Sequence, residues 1–123
     1  MKRNKYNIGI IGRGFVGSAV ENGFSGEHFD DYIVRVFDAN PEKTINSLES
    51  VVNKSDIVFI SVPTPSFEDG EIDLNILENC LSDISKISNN IVYILMYQQI
   101  SIILSNMIAQ CLKCIFISTH FEE

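Results

Sequence analysis

Three glycines and one acid are the residues of this sequence whose types and spacing point most directly to chemistry. Gly12, Gly14 and Gly17 fall in Gly12-Arg13-Gly14-Phe15-Val16-Gly17, a G-x-G-x-x-G spacing that directly follows the apolar run Tyr6 to Ile11. Between a strand and a helix, each glycine has its own reason. Gly12 allows a tight turn off the strand, Gly14 lets backbone approach a pyrophosphate with no Cβ in the way, and Gly17 lets the helix pack closely on the strand. A helix opening at Phe15 and Val16 offers unpaired N–H groups and the positive end of its dipole to phosphates. The acid is Asp38, which follows the apolar run Ile33 to Phe37. It stands roughly 20 residues beyond the loop, where a carboxylate accepts hydrogen bonds from ribose hydroxyls. Such a carboxylate repels a 2′-phosphate, and no arginine occurs in the Ala39-Asn40-Pro41-Glu42-Lys43 that follows, so the pattern predicts NAD rather than NADP.

A second candidate segment is Pro63-Thr64-Pro65, at the end of the apolar run Ile57 to Val62. Two prolines end a strand and hold the residue between them in a defined direction. If this strand lies beside the first, Thr64 and the glycine loop face one pocket, in the crevice where the strand order reverses. A rigid turn without ligand contact is the alternative reading. Arg13 has two readings as well, a phosphate ligand or a solvated loop residue.

The elements that must position these groups are short and alternate. Apolar runs recur at Tyr6 to Ile11, Ile33 to Phe37, Ile57 to Val62, Ile91 to Leu95 and Cys114 to Ile117, each bounded by polar or turn-forming residues. Near-continuous apolarity without alternation marks strands buried on both faces, hence a parallel sheet with helices on each side. Helical spacing lies between them. It is clearest in Ile100, Ile103, Leu104, Met107, Ile108 and Cys111, and in Leu74, Leu77, Leu81, Ile84 and Ile87, with Asp73 as the expected N-cap of the latter. Phe15 to Phe24 and Leu48 to Val52 supply two shorter helices. The expected fold is α/β, a Rossmann-type doubly wound parallel sheet of about five strands. The stretch from Asp38 to Asp56 is too compressed for a further βα unit, so the third strand of such a sheet is expected to be vestigial or missing.

Composition narrows the classes. With 123 residues, 46% of them apolar, residues 1–123 are expected to form a single domain around one core. A net charge of −7 without a basic run argues against nucleic acid. The longest apolar run, Ile91 to Tyr97, is seven residues, well short of the roughly 20 that cross a bilayer, so no membrane span is expected. Lys2-Arg3-Asn4-Lys5 reads as a solvated lead-in to a strand, because Arg13 interrupts the apolar stretch too early for a signal peptide. Three cysteines, Cys80, Cys111 and Cys114, make no even framework, which suits the cytoplasm. Cys111-x-x-Cys114 lacks the second pair or the histidines of a zinc site and reads as two small buried residues. His28 and His120 read as solvated.

Gly12-x-Gly14-x-Val16-Gly17, Asp38 with Asn40-Pro41-Glu42-Lys43, Ser55-Asp56-Ile57-Val58-Phe59-Ile60-Ser61-Val62-Pro63-Thr64-Pro65 and Asp69-Gly70-x-x-Asp73 together resemble the N-terminal NAD-binding domain of UDP-glucose/GDP-mannose dehydrogenases, from about Asn7 to about Ile94. The resemblance implies an oxidoreductase that acts on CH–OH with NAD as acceptor, taking a nucleotide sugar to the carboxylate through a thioester on a cysteine. It also implies cofactor contacts at Gly12, Gly14, Phe15, Val16, Gly17, Asp38, Val62, Pro63 and Thr64. After Ile94 the chain departs from the pattern. Leu95-Met96-Tyr97-Gln98-Gln99-Ile100-Ser101 stands where the family has a loop with a threonine near the reacting centre, and His120 stands where it has a glutamate. None of the three cysteines matches the family's catalytic one, so the catalytic residues are unassigned. The sequence therefore predicts the cofactor half of such an enzyme, with a nucleotide-sugar substrate only alongside further domains. The alternative is a non-catalytic NAD-binding module or partner subunit. The apolar face at Ile100 to Cys111 is expected to be covered by a following domain or a second subunit, either a second copy or a partner chain.

Overall fold

The computed structural model describes residues 5–25, 31–71, 73–89, 92–96 and 114–118. Among these residues are five strands, β1 (Tyr6–Ile11), β2 (Tyr32–Phe37), β3 (Ile57–Ile60), β4 (Val92–Met96) and β5 (Cys114–Ser118), the first four separated in turn by helices α1 (Phe15–Ser25), α2 (Leu48–Lys54) and α3 (Asn75–Ile87). The strands form one sheet in the order β2-β1-β3-β4-β5. Every pairing in it is parallel. The chain runs outward from β1 to β2 and then returns to the other side of β1, so the strand order reverses between β1 and β3. That reversal is the switch point at which ligands of such sheets bind.

Both faces of β1 are used, as the lack of alternation in its sequence requires. Ile8 and Ile10 pack with Val36 and Phe59 beneath Val20 and Phe24 of α1. Ile11 points the other way, into a larger cluster with Val51 and Val52 of α2, Val58 and Ile60 of β3, and Leu77, Leu81 and Ile84 of α3. Full burial of Ile10, Ile84 or Ile94 contributes roughly 2 kcal/mol each. Gly9 faces this second side, where a Cβ would lie 2.5 Å from Ser55 Oγ and 2.9 Å from Val51 Cγ1, so its glycine lets α2 lie close on β1. Nothing in the sequence pattern had singled out Gly9.

The compressed stretch after β2 carries what is left of a third strand. The N–H groups of Ile45 and Asn46 donate to the Val36 carbonyl at 3.1 and 2.7 Å, and the Val36 N–H donates to Asn46 Oδ1 at 2.8 Å. These bonds occupy the outer edge of β2 at a single residue, where a full strand would have continued the ladder. The chain then enters α2, whose start is fixed by Ser47: its Oγ accepts from the Ser50 N–H at 3.1 Å. Seven residues are marginal as an isolated helix, and burial of Val51 and Val52 holds this one in place.

Two local expectations need correction. Asp73 is not the N-cap of α3. Leu74 takes that position without a side-chain bond, while Asp73 Oδ1 accepts from the Asn75 N–H at 2.9 Å, so the acid serves the first turn from one position further out. Strand β3 ends at Ile60 rather than Val62, because β1 turns away at Gly12 and only the Ser61 N–H, donating to the Ile11 carbonyl at 2.8 Å, continues the ladder. The helix expected over Ile100 to Cys111 lies outside the described residues, as do His28 and His120.

Candidate functional site

The glycine loop is built by three different constraints. Gly12 has φ +96°, a left-handed conformation that L side chains rarely adopt, and a Cβ there would lie 2.5 Å from the Ser61 carbonyl oxygen. Its N–H donates to the Phe37 carbonyl at 2.9 Å, which ties the loop to the end of β2. At Gly17 a Cβ would overlap the Gly12 carbonyl oxygen, so glycine here lets α1 sit directly on the loop. Gly14 differs from both: a Cβ there would meet nothing within 4 Å. Among the described residues, no group requires glycine at this position. The Gly14 carbonyl accepts the first helical bond, from the Ser18 N–H at 2.9 Å. There is no acid in the first turn of α1 to neutralise its positive end.

Asp38 closes the other side. Its Oδ2 accepts from the Arg13 N–H at 2.7 Å and its Oδ1 from the Asn40 N–H at 2.8 Å. A carboxylate has about four acceptor sites, so each oxygen keeps one for a ribose hydroxyl. Burial works to raise the pKa of this carboxyl, but the two N–H bonds and the nearby charges of Lys43 and Arg13 together outweigh it and hold the group below its ordinary value. Asp38 is therefore an acceptor at neutral pH. The Arg13 side chain is not a simply solvated loop residue. Its Nε and Nη2 donate to the two carboxylate oxygens of Glu21 at 2.8 and 3.1 Å, and its Nη1 donates to the Lys43 carbonyl at 3.0 Å.

Between these groups lies a cavity of about 320 Å³. Such a volume is near the lower end of small-molecule sites, which run from about 300 to 1,000 Å³, and suits half of a dinucleotide better than the whole. Gly12, Asp38, Val62 and Pro63 line it over a floor of Ile11, Phe37 and Leu48. Its far wall is α3, through Ile76, Asn79, Cys80 and Asp83. Burial, aided by the charge of Asp83, pushes the Cys80 thiol up to about 12, so Cys80 faces the cavity as a neutral group. The sequence reading had not selected these α3 residues. Their spacing of three, four and seven was the available signal, a second stripe beside the apolar one.

The remaining expected contacts lie elsewhere. Phe15 is 97% exposed, and with Val16 it borders a shallow apolar groove along α1, next to Val20, Phe24 and Phe59. Thr64 is half-buried in the turn after β3 and is not among the residues lining the cavity. Gly70, at φ +86°, closes the loop beyond it, with the Gly70 N–H donating to the Phe67 carbonyl at 3.0 Å and the Phe67 N–H to the Glu71 carbonyl at 2.7 Å. Among the described residues no group of three metal-ligating side chains gathers, and no helix is long and apolar enough to cross a membrane.

The sequence pattern of the UDP-glucose/GDP-mannose dehydrogenase family, NAD binding domain, matches residues 31–113, well over half of the chain. The chain belongs to that family. The match takes in Asp38, Pro63 and Thr64, starts after the glycine loop, and continues past Ile94. This NAD-binding domain of the dehydrogenase family shares its fold with parts of several solved dehydrogenases. A UDP-glucose dehydrogenase from the hyperthermophilic archaeon Pyrobaculum islandicum superposes with a TM-score of 0.70 at 17% identity, over 93% of this chain and 35% of that one. A GDP-mannose dehydrogenase from Pseudomonas aeruginosa gives 0.66 at 16% identity, over 89% and 34%. A scyllo-inositol dehydrogenase from Lactobacillus casei gives 0.53 at 14% identity, over 94% and 37%. At these identities the likeness is one of fold, and this dehydrogenase-family domain spans about a third of each relative's length. No curated protein matches the sequence at a significant level.

Proposed function

We propose that the chain, as one domain, holds NAD across the carboxyl ends of β1, β2 and β3, serving an oxidoreductase that acts on the CH–OH of a nucleotide sugar. The adenosine half occupies the cavity between Asp38, Val62, Pro63 and α3, and the pyrophosphate crosses Gly14 at the start of α1. One observation carries this reading. The 2.7 Å bond from the Arg13 N–H to Asp38 joins the glycine loop and the acid in a single site, so that phosphate and ribose of one ligand are recognised together.

When bound, NAD supplies the hydride acceptor. The chain's own residues bind and orient: Asp38 accepts from the ribose hydroxyls, the α1 terminus donates to phosphate, and the apolar cavity keeps water from the base. A nucleotide-sugar substrate of the UDP-glucose or GDP-mannose type requires further domains, since the chain spans only about a third of its solved relatives. A second reading, a non-catalytic NAD module working beside a partner chain, is favoured by the sequence Leu95 to Ser101 and by His120, which keep neither the threonine nor the glutamate that the family resemblance implies there. The odd cysteine count, with Cys80 a free thiol, supports the cytoplasm as the compartment.

The test is calorimetric titration of the 123-residue chain with NAD, followed by assay with UDP-glucose or GDP-mannose. Binding is expected, and Asp38→Ala should weaken it by about tenfold or more, the effect of losing hydrogen bonds to a charged acceptor. Failure of the folded chain to bind NAD refutes the proposal. Turnover by the chain alone refutes the second reading and the need for further domains.

A further inference from the structure

Asp38 sits in a cradle that would suit any anion. Two backbone N–H groups, from Arg13 and Asn40, converge on its carboxylate at 2.7 and 2.8 Å. Two cations, Lys43 and Arg13, lie close enough for their charges to act on it. This is the donor set expected of a 2′-phosphate site, with a carboxylate of the chain itself in the phosphate's place.

One of those cations is held back. Both carboxylate oxygens of Glu21 accept from the Arg13 guanidinium, at 2.8 and 3.1 Å, and the pair is largely shielded, with side-chain exposures of 33% for Arg13 and 16% for Glu21. A two-pronged pair of this kind fixes the direction of the guanidinium as well as its charge balance. The third committed donor, Nη1, reaches the Lys43 carbonyl, so the guanidinium already lies against the loop that carries Asp38.

We infer that Glu21 is a positioning residue for cofactor choice: by holding Arg13 it keeps a latent 2′-phosphate site disarmed, so that rejection of NADP rests on Asp38 and Glu21 together. The inference rests on the NAD reading above and names the residue that sharpens it. Removing Asp38 alone clears the two N–H donors but leaves Arg13 on Glu21. Removing the Glu21 charge as well frees the fork to donate to a phosphate held by the same loop.

The experiment measures Kd for NAD and for NADP with the whole chain, Asp38→Ser, Asp38→Ser/Glu21→Gln, and the latter with Arg13→Leu. Glu21→Gln is expected to improve the NADP-to-NAD preference of the Asp38→Ser chain by about tenfold, the value of one added charge-assisted contact, and Arg13→Leu is expected to cancel that gain. A purely structural role for Glu21 would produce no gain in NADP affinity. An unchanged preference on adding Glu21→Gln overturns the inference, as does a gain that survives Arg13→Leu. Should Glu21→Gln fail to fold, Arg13→Leu on Asp38→Ser alone decides: no change in NADP affinity is expected, because Arg13 is still held, and a clear loss means that Arg13 already serves the phosphate and Glu21 holds nothing back. If the unaltered chain binds no NAD, the cofactor reading itself fails. If it binds NAD while the preference stays unmoved, only the role given to Glu21 fails.

Discussion

Replacing Gly14 with alanine adds one methyl group to the loop between β1 and α1, and the structure places that methyl in open space. Among the described residues nothing lies within 4 Å of it, and Gly14 is not in the left-handed region, so alanine fits the backbone as it stands. By the chain alone, the substitution should leave stability unchanged or raise it by about 0.4–1 kcal/mol through the lower entropy of the unfolded chain, a rise of a few degrees in Tm. The ligand reverses the sign. If the pyrophosphate passes over Gly14, the methyl intrudes on a close contact, and overpacking of that kind costs about 1–3 kcal/mol, or roughly 5- to 150-fold in Kd. Thermal melts and calorimetric titration with NAD, ADP-ribose and AMP separate the two effects. AMP lacks the pyrophosphate and should lose less than the other two. A Gly14→Ala chain that melts as high as the original and binds NAD equally well would show that no phosphate crosses Gly14, and the placement of the cofactor would have to be abandoned.

Gly17→Ala should behave in the opposite way: its Cβ overlaps the Gly12 carbonyl, so α1 must lift off Ile8 and Ile10, and a loss of at least about 1–3 kcal/mol is expected in urea titrations. Asp38, whose pKa is depressed on folding, contributes stability that is fully present above its ordinary value of 3.8 and is lost as the pH falls through the lower folded-state value. Acid unfolding followed by circular dichroism should therefore show a steeper loss below that pH for the original chain than for Asp38→Asn, and identical profiles would refute the linkage. Cys80, with its thiol pushed up to about 12, should be almost inert to iodoacetamide at pH 8, where on the order of one part in ten thousand is thiolate. Mass spectrometry of the Cys80 peptide should show labelling in denaturant and little without it; equal rates in both would mean that the thiol is not buried.

The parts of this molecule that were legible in its sequence are those whose cause is local. Gly12 and Gly17 could be read because a strand-to-helix turn needs them wherever it occurs, and Asp38 because it follows the second strand directly. The loss of a full third strand was legible as simple lack of chain between Asp38 and Asp56. Its remnant was not, since the Asn46 side chain and the Ile45 N–H find Val36 only once β2 has an uncovered edge to offer. Gly9 was invisible for a similar reason. What forbids a side chain there is α2, more than 40 residues further on, and no motif announces how closely a helix will cross a strand.

The wall of the cavity shows where such reading stops. A helix packed on a sheet has one apolar stripe that the core dictates, and Leu77, Leu81 and Ile84 fill it. The neighbouring stripe of α3 lines the cavity instead, and the core does not dictate what it must be. Ile76, Asn79, Cys80 and Asp83 share a helical stripe by their spacing, but they are mixed in polarity, and a solvated face shows the same spacing. The same limit explains Phe15 and Val16. A motif places their backbone at the phosphate end of α1, but helical geometry sends the side chains outward, where Phe15 ends up exposed. A motif thus specifies backbone, while the side chains that line the cavity come from whichever element the fold brings opposite it.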